Sequence, residues 1–195
     1  MSTSDLAARH LFTDARSCSR WLAQPVPEQL LRSVYDLAKY GPTSMNSQPM
    51  RVQFVVSQSA KQKLLACVNP GNVAKTTEAP VVAIIGQDLA FADQLPVLFA
   101  HKTDAQSYFA GKPDLVASTA LRNSSLQGAY LMMAARLLGL DCGPMSGFNA
   151  PAVDQAFWAG TTVRTNFLCN LGYGDHTGLR ERAPRLDFDA VCSVQ

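Results

Sequence analysis

Three segments of the chain are rich in small polar side chains, and two of them also contain glycine and proline, which interrupt regular secondary structure. In the first, 14–21, Arg16 and Arg20 stand four apart with hydroxyls between them, and guanidinium groups so placed could hold a phosphate through charge-assisted hydrogen bonds. The second, 41–49, offers hydroxyl and amide groups suited to a heterocycle edge between two prolines. The third, 139–148, is rich in glycine, so its backbone could approach a flat ring closely. The alternatives are a solvated connector, a helix-to-strand turn, and a helix C-cap followed by a turn.

Motifs of several common active sites are missing from the sequence. It contains no G-x-S-x-G, no G-x-x-x-x-G-K-[ST], no H-E-x-x-H and no G-x-G-x-x-G. The three histidines, His10, His101 and His176, are scattered and form no pair with another histidine or a cysteine at metal-ligand spacing, so the sequence predicts no metal site. A chain with so few acid, base and nucleophile candidates is expected to take its reactivity from an organic cofactor.

Composition limits the class of protein. A length of 195 residues favours one domain, 1–195. The 17 basic and 15 acidic residues give a net charge of +2 without a basic run, which predicts neither a nucleic-acid nor a membrane partner. Five cysteines without a C-x-x-C pair indicate the thiols of a reducing compartment, and a polar N-terminus lacks a secretory pattern, so we expect a cytoplasmic protein. The longest apolar stretch, 79–86, is far shorter than the roughly 20 residues that span a bilayer.

Hydrophobic periodicity predicts a mixture of helices and strands without a strict βαβ rhythm, which indicates the α+β class. Strands are predicted at 52–57, 80–86 and 164–172, and helices at 2–12, 27–39, 60–68 (with Ser59 as the cap), 115–140 and 150–158.

Three regions of this pattern bear on assembly and on the substrate. The second half of the helix at 115–140 is apolar nearly all round, which favours a position between two subunits. The tail, 173–195, has little apolar content and is expected to lie on a partner subunit. The excursion at 91–113 is either an aromatic roof over a substrate pocket, through Tyr108 and Phe109, or a surface insertion.

Five stretches in chain order resemble the nitroreductase superfamily of flavin mononucleotide (FMN) enzymes. The resemblance runs from Arg16 to Arg185 and is closest to the small HadB- and RutE-like subgroup, which contains the malonic semialdehyde reductase of the Rut pyrimidine-degradation pathway. It implies a nitroreductase-like fold, with a central, mostly antiparallel sheet flanked by helices, in an intertwined homodimer that holds FMN between the subunits. The stretches are 41–49, 70–75, 122–130, 139–148 and 166–174.

The resemblance implies roles for residues at the phosphate end and at the subunit boundary. Arg16 and Ser17 would bind the FMN phosphate, with Arg185 reaching in from the tail. The family has a second basic residue near this motif, and a one-residue gap leaves its place open between Ser19 and Arg20. Groups from the other subunit would contact the ribityl chain and the ring edge: Thr43, Ser44 and Asn46.

The resemblance also implies which residues face the flavin ring. Asn72 and Lys75 match an Asn-x-x-Lys pair at the pyrimidine end, where Lys75 would stabilise the negative charge of a reduced flavin at its N1–O2 edge. A turn at 70–72 and the strand at 80–86 would fix the position of Lys75. No side chain is expected to be a catalytic nucleophile, because the flavin carries the hydride. The other face of the ring would be lined by Pro144, Met145, Ser146 and Gly147, and many relatives carry an acid where Ser146 stands.

The implied reaction is a ping-pong hydride transfer. NAD(P)H would reduce the flavin at N5 and leave, and a small-molecule acceptor would take its place. The resemblance to this subgroup suggests 3-oxopropanoate (malonic semialdehyde) as the acceptor, reduced to 3-hydroxypropanoate. The alternatives are a nitroaromatic, quinone or enone reductase of the same family, and a flavin-binding redox module without turnover.

Overall fold

One four-stranded antiparallel sheet organises the chain, with strands in the order β1-β2-β4-β3. The structure is a computed structural model that describes residues 3–195, and side chains from Ser4 onwards. The strands are β1 (Met50–Val55), β2 (Val81–Asp88), β3 (Asp141–Met145) and β4 (Val163–Gly172). The helices are α1 (Thr3–Ala8), α2 (Glu28–Ala38), α3 (Gln58–Leu65), α4 (Pro70–Glu78), α5 (Leu95–Leu98), α6 (Pro113–Leu137), α7 (Ala150–Phe157) and α8 (Phe188–Val191).

The sheet is covered on both faces, which explains the β-branched run in β2. Val81, Ala83 and Ile85 pack on one face with α2 and α6, whereas Val82 and Ile84 pack on the other with α3 and α7. Successive side chains of a strand point to opposite faces, so a strand covered twice must be apolar at every position. The predicted α+β class with a mostly antiparallel sheet is confirmed.

Most predicted elements are present with boundaries shifted by a few residues. The helix expected at 2–12 is α1 followed by a π-helical turn (Arg9–Thr13), and its start at Ser2 lies outside the described residues. The cap of α3 is Ser57, not Ser59, because the Ser57 hydroxyl accepts the Ala60 N–H at 3.3 Å. The helix expected to reach residue 140 ends at Leu137, and Gly139 takes a positive φ of 83° behind it.

Two elements of the site differ from the sequence prediction. Residues 70–72, expected to form a turn, are the first turn of α4, since Pro70 occupies a first-turn position where its missing N–H costs nothing. Residues 141–145, for which the sequence analysis predicted no strand, are the edge strand β3, paired with β4 from Asp141 opposite Gly172 to Met145 opposite Leu168. Proline is tolerated at Pro144 because β3 is an edge strand.

The excursion at 91–113 has a small core of its own. The rings of Phe91 and Phe109 lie 4.9 Å apart, edge to face, and both residues are buried together with Leu95, Ala105 and, from α6, Ala120. Phe109 is therefore a packing residue, while Tyr108 remains half exposed.

Helix α6 and the tail leave apolar side chains in solvent. Leu121, Leu126, Tyr130 and Leu137 of α6 are each exposed by 44–52%. In the tail, Leu186, Phe188, Val191 and Val194 are exposed by 62–88%. Within residues 3–195, no helix combines the length and the apolar character needed to cross a membrane.

Candidate functional site

A concave pocket of about 370 Å³ gathers the cations of the first polar segment. We call it the phosphate pocket; it is lined by Arg16, Ser17, Ser19, Arg20, Asp175, Thr177, Gly178, Leu179 and Arg180. Three arginines and three hydroxyls face one carboxylate there, so the donor set suits an anion. Sequence reasoning missed Thr177 and Arg180, whose only signal was the basic, polar composition of the stretch after β4.

Backbone pairing fixes the first polar segment against the sheet. The N–H of Cys18 donates to the carbonyl of Cys142 in β3 at 2.9 Å, and the N–H of Leu22 donates to the carbonyl of Tyr173 at 2.8 Å. The N–H of Asp175 donates to the carbonyl of Arg20 at 3.0 Å. Residues 16–22 therefore lie along the edge of β3 and against the loop that follows β4.

The arginines of this region differ in their exposure to solvent and in the groups that they bond within the protein. The half-buried Arg16 guanidinium donates to the carbonyl of Arg180. Arg20 is 65% exposed and pairs loosely with Asp175, with 3.6 Å between Nε and Oδ2. Both Ser19 and Arg20 line the phosphate pocket, and Arg20 brings a charge. Arg185 lines a neighbouring cavity of about 430 Å³ together with Arg16, and it donates to the carbonyls of Ala183 and Pro184.

Helix α4 is tied to the loop after β3 by one side chain. Asn72 donates its amide to the carbonyl of Gly147 at 2.8 Å, and a Cβ at Gly147 would lie only 2.3 Å from that amide nitrogen. Asn72 and Lys75 are three apart in α4 and so lie on one helix face. This contact brings the Asn-x-x-Lys pair next to the segment 144–147.

The segment 144–147 presents mixed surfaces. Pro144 and Ser146 are exposed and Gly147 is half-buried. The Met145 side chain is buried in the core, where its sulfur accepts the Thr76 hydroxyl at 3.6 Å, so its backbone is the part available to a ligand. The segment thus offers an exposed hydroxyl and accessible main chain beside α4.

Lys75 is a cation without a protein partner. It is half-buried, and among residues 3–195 its ammonium group makes no hydrogen bond or ion pair. Its backbone carbonyl accepts the amide of Asn170 at 3.0 Å, and Asn170 is fully buried in β4. Asn170, which the sequence analysis did not single out, therefore anchors α4 to the sheet and places Lys75.

The segment 43–46 is held in an unusual backbone conformation. Met45, Asn46 and Gln48 have positive φ angles of 55°, 48° and 41°, which are uncommon for residues other than glycine. The Ser44 N–H donates to the Asn123 side chain of α6 at 2.8 Å, and the Asn46 amide donates to the carbonyl of Leu98 at 2.9 Å. The Thr43 hydroxyl accepts the Gln48 N–H at 3.2 Å, and the Ser44 side chain is exposed.

Within one chain, the structure does not bring the segment 43–46 close to the residues of the phosphate pocket or to the segment 144–147. The segment 43–46 precedes β1, while residues 16–20 and 144–147 lie at β3, and these are the two opposite edges of the sheet. Three strand spacings separate them, roughly 14 Å. They also lie at different heights, because Met50 is level with Gln87 and Arg164, whereas Met145 lies opposite Leu168 further along β4.

The fold is that of the nitroreductase family. The sequence profile of the nitroreductase family matches residues 13–173, and the chain belongs to that family, as predicted. It is 53% identical over 194 residues to a protein of Ralstonia pickettii provisionally named NADH dehydrogenase/NAD(P)H nitroreductase HadB, covering 98% of this chain and 99% of the relative. A Burkholderia lata protein with the same provisional activity is 54% identical over 192 residues, covering 98% of each.

Solved structures share the fold at lower identity. The provisionally assigned nitroreductase ydfN of Bacillus subtilis superposes with a TM-score of 0.88 at 22% identity, covering 100% of both chains. A provisionally assigned nitroreductase of Exiguobacterium sibiricum, solved in complex with FMN, gives a TM-score of 0.86 at 19% identity, covering 95% of this chain and 96% of that one. These similarities establish the nitroreductase fold.

The contact between Asn72 and Gly147 predicts opposite effects for two glycine substitutions. Gly147→Ala should destabilise the protein by about 1–2 kcal/mol, because the new methyl group displaces the Asn72 amide from its acceptor. Gly71→Ala in α4, where no atom lies within 4 Å of the new Cβ, should stabilise it by about 0.5 kcal/mol. Urea unfolding measures both, and equal effects of the two changes would contradict the described contact.

Proposed function

We propose that this chain is an FMN-dependent NAD(P)H oxidoreductase that works as a homodimer with one flavin at each of two interface sites. The observation that carries the proposal is the phosphate pocket on the same sheet edge as the unpartnered Lys75 and the accessible segment 144–147. The names of the relatives at 53–54% identity, NADH dehydrogenase/NAD(P)H nitroreductase, support the same class of activity.

The residues present fit FMN at each end of the molecule. The phosphate pocket offers Arg16 and Arg20 with the hydroxyls of Ser17 and Ser19, a donor set for a doubly charged phosphate. From Cys142, beside Ser17, to Met145 is roughly 10 Å along β3, so an elongated ligand could follow the strand towards α4. When bound, FMN supplies hydride transfer through N5, first from NAD(P)H and then to an acceptor.

Around that cofactor the side chains would bind, orient and supply charge. Arg16 and Arg20 would bind the phosphate, with Arg185 nearby, and Asn72 would hold α4 against the segment 144–147. Lys75 would stand at the N1–O2 edge, where a cation stabilises the negative charge acquired on reduction and raises the reduction potential. No nucleophile is required for the hydride steps, and the proton that completes the reduction of the acceptor would come from solvent.

The homodimer is proposed because each chain carries two incomplete halves. Thr43, Ser44 and Asn46 lie at one edge of the sheet, and the phosphate and ring-facing residues lie at the other. In a two-fold dimer, the first half of each chain would complete the second half of its partner. The exposed apolar side chains of α6 would be covered in the interface, and the tail, 173–195, would wrap the partner subunit.

The acceptor proposed is 3-oxopropanoate, giving 3-hydroxypropanoate, on the strength of the subgroup resemblance. A nitroaromatic acceptor is the second candidate, favoured by the names of the relatives. Quinones and enones complete the set of acceptors to compare.

A turnover experiment tests the proposed activity. The purified flavin-loaded protein should be bleached within seconds by NADH or NADPH and reoxidised by an acceptor, with the highest kcat/KM for 3-oxopropanoate among an aldehyde acid, a nitroarene, a quinone and an enone. Slow bleaching with every donor would contradict an oxidoreductase and favour a redox module without turnover. Fast bleaching with preference for the nitroarene would support the second acceptor.

The phosphate assignment predicts a loss of flavin in one arginine variant. Arg16→Ala should weaken FMN binding by about 2–4 kcal/mol, roughly 30- to 1,000-fold in Kd, because a partly buried phosphate loses its paired cation. Arg164→Ala is the matched control, since Arg164 is half exposed at the far end of β4. Quenching of FMN fluorescence measures both constants, and an unchanged Kd in Arg16→Ala would rule out the assigned role.

The charge of Lys75 predicts a shift in redox potential. Lys75→Met should lower the reduction potential of the bound flavin by about 20–45 mV, equivalent to about 1–2 kcal/mol of lost charge stabilisation in a two-electron couple. Lys63→Met in α3 is the control, because the Lys63 ammonium lies 5.0 Å from the Phe157 ring, away from the segment 144–147. Equilibration with a reference dye measures the potential, and equal values for both variants would contradict the role of Lys75.

The interface predicts coupled loss of dimer and flavin. Leu126→Glu places a charge on the exposed apolar side of α6 and should give a monomer that binds FMN weakly. Val97→Glu, at a residue 79% exposed in α5, should stay dimeric and yellow. Light scattering with flavin absorbance measures both properties, and a monomeric variant that retains its flavin would disprove a site shared between subunits.

A further inference from the structure

Three metal-ligating side chains converge beside the phosphate pocket. The Sγ of Cys18, a carboxylate oxygen of Asp141 and an imidazole nitrogen of His176 all lie within 4.8 Å of one another. Nε2 of His176 is 3.0 Å from Oδ2 of Asp141. Far apart in sequence, these residues form the cluster only through the fold, which explains why sequence spacing predicted no metal site.

Backbone contacts hold the three segments in place. Cys18 is fixed by its N–H bond to Cys142, and Asp141 is the first residue of β3. The N–H of Gly174 donates to Oδ2 of Asp141 at 2.9 Å, which joins the loop after β4 to the start of β3. These contacts fix the backbone of Cys18 and join the Asp141 carboxylate to the loop that carries His176.

The three ligand atoms surround one common point. An ideal Cβ built on Gly174 would lie 2.5 Å from the Cys18 sulfur, 2.8 Å from Oδ2 of Asp141 and 3.0 Å from Nε2 of His176. Any side chain at position 174 would fill the space among them. Glycine keeps this space free of a side chain, and a cation would lie farther from the Gly174 Cα than the Cβ position does, within reach of the three ligand atoms, which are within 4.8 Å of one another.

We propose that Cys18, Asp141 and His176 form a binding site for a divalent transition-metal cation of the zinc type. One thiolate, one imidazole and one carboxylate are the ligand types that Zn²⁺ takes at about 2.0–2.3 Å, and three protein ligands leave a fourth position for water. The mixed set excludes Ca²⁺ and Mg²⁺, which prefer oxygen ligands alone.

A cation could reach the cluster of Cys18, Asp141 and His176 from solvent, and it would meet a negatively charged group there. A cavity of about 490 Å³ opens beside Asp141 and His176, with His10, Asp14, Arg9 and Arg136 also in its lining. Arg9 pairs with Asp14 at 2.8 Å. The carboxylate of Asp141 faces the cluster itself, so the cation would meet a negative charge at the point where it binds.

The state of Cys18 without a cation is a protonated thiol. Burial, followed by the charge of Asp141 and its hydrogen bond, raises the pKa of Cys18 to about 12. Such a thiol is a poor nucleophile, which argues against a catalytic cysteine here. A bound divalent cation reverses the effect of the Asp141 carboxylate and takes the thiol as thiolate, with release of its proton to solvent.

The site goes beyond the proposed oxidoreductase function and needs no flavin. A cation bound there would join residues 16–20, β3 and the loop after β4, the three segments around the phosphate pocket. Its occupancy would stabilise the folded chain, because the three ligands come together only when the chain is folded.

Cobalt substitution tests the site in the purified full-length protein. One equivalent of Co²⁺ should produce a thiolate-to-cobalt absorption in the near ultraviolet, read as the difference from the same sample before addition, and Zn²⁺ should abolish it by displacement. Cys18→Ser should lose this absorption, and His176→Ala should bind Co²⁺ at least about tenfold more weakly. Cys192→Ser, which removes the exposed thiol of the tail, should behave as the wild type.

A steric variant and a thermal measurement complete the test. Gly174→Ala retains all three ligands but places a methyl group among them, so it should lose the cobalt absorption as well. Zn²⁺ should raise the Tm of the wild type and of Cys192→Ser, and leave the Tm of Cys18→Ser unchanged. The proposal is overturned if the wild type gives no thiolate absorption, if Cys18→Ser or Gly174→Ala keeps it, or if Cys192→Ser loses it.

Discussion

The backbone bond from Cys18 N–H to the Cys142 carbonyl is the contact on which the candidate site depends. It lays residues 16–22 along the outer edge of β3, so that Arg16 and Ser17 stand at the start of the strand whose end carries the segment 144–147. Asn72 then connects that end to α4 and to Lys75. The proposed phosphate-binding end and the proposed ring-facing end are thereby set along a single strand.

Buried polar side chains position what the strands alone do not. Asn170, which is fully buried near the end of β4, donates to the Lys75 carbonyl and holds α4 at the sheet. On the other edge, Asn123 accepts the N–H of Ser44, and Gln127 accepts the N–H of Met50 at 2.9 Å. Each of these side chains bonds a backbone donor or acceptor, and a buried backbone group without a partner costs about 1–3 kcal/mol. The side-chain amides of Asn123, Gln127 and Asn170 therefore help to position the backbone of the candidate site.

Periodicity predicted the elements whose packing is regular and missed those defined by a neighbour. The run at Val81–Ile85 and the spacing of Leu31 and Val34 required no more than their own sequence to indicate β2 and α2. β3 was missed because five residues with a glycine and a proline form a strand only by pairing with β4. α4 was missed because Pro70 and Gly71 are typical of turns, although a proline also begins helices.

The site residues came from the family resemblance more than from the residue pattern. Arginines four apart at Arg16 and Arg20 indicated an anion, but no sequence spacing showed that Thr177 and Arg180 would join them. The cluster of Cys18, Asp141 and His176 lay outside any spacing rule, because the distance between its members is set by β3 and β4. Local patterns reveal a ligand set within one element, whereas sets assembled across the sheet need the fold.

The position of β1 at the edge of the sheet bears on the tendency of newly made chains to aggregate. Within residues 3–195, β1 pairs only with β2, and its outer backbone groups face no strand. Although the N–H of Met50 is bonded to Gln127, an edge strand of this kind can pair with an extended chain, including an unfolded copy of the protein. Newly made chains are consequently at risk of aggregation through this edge, and in the proposed homodimer rapid association of the subunits would shorten the time for which they are exposed to that risk.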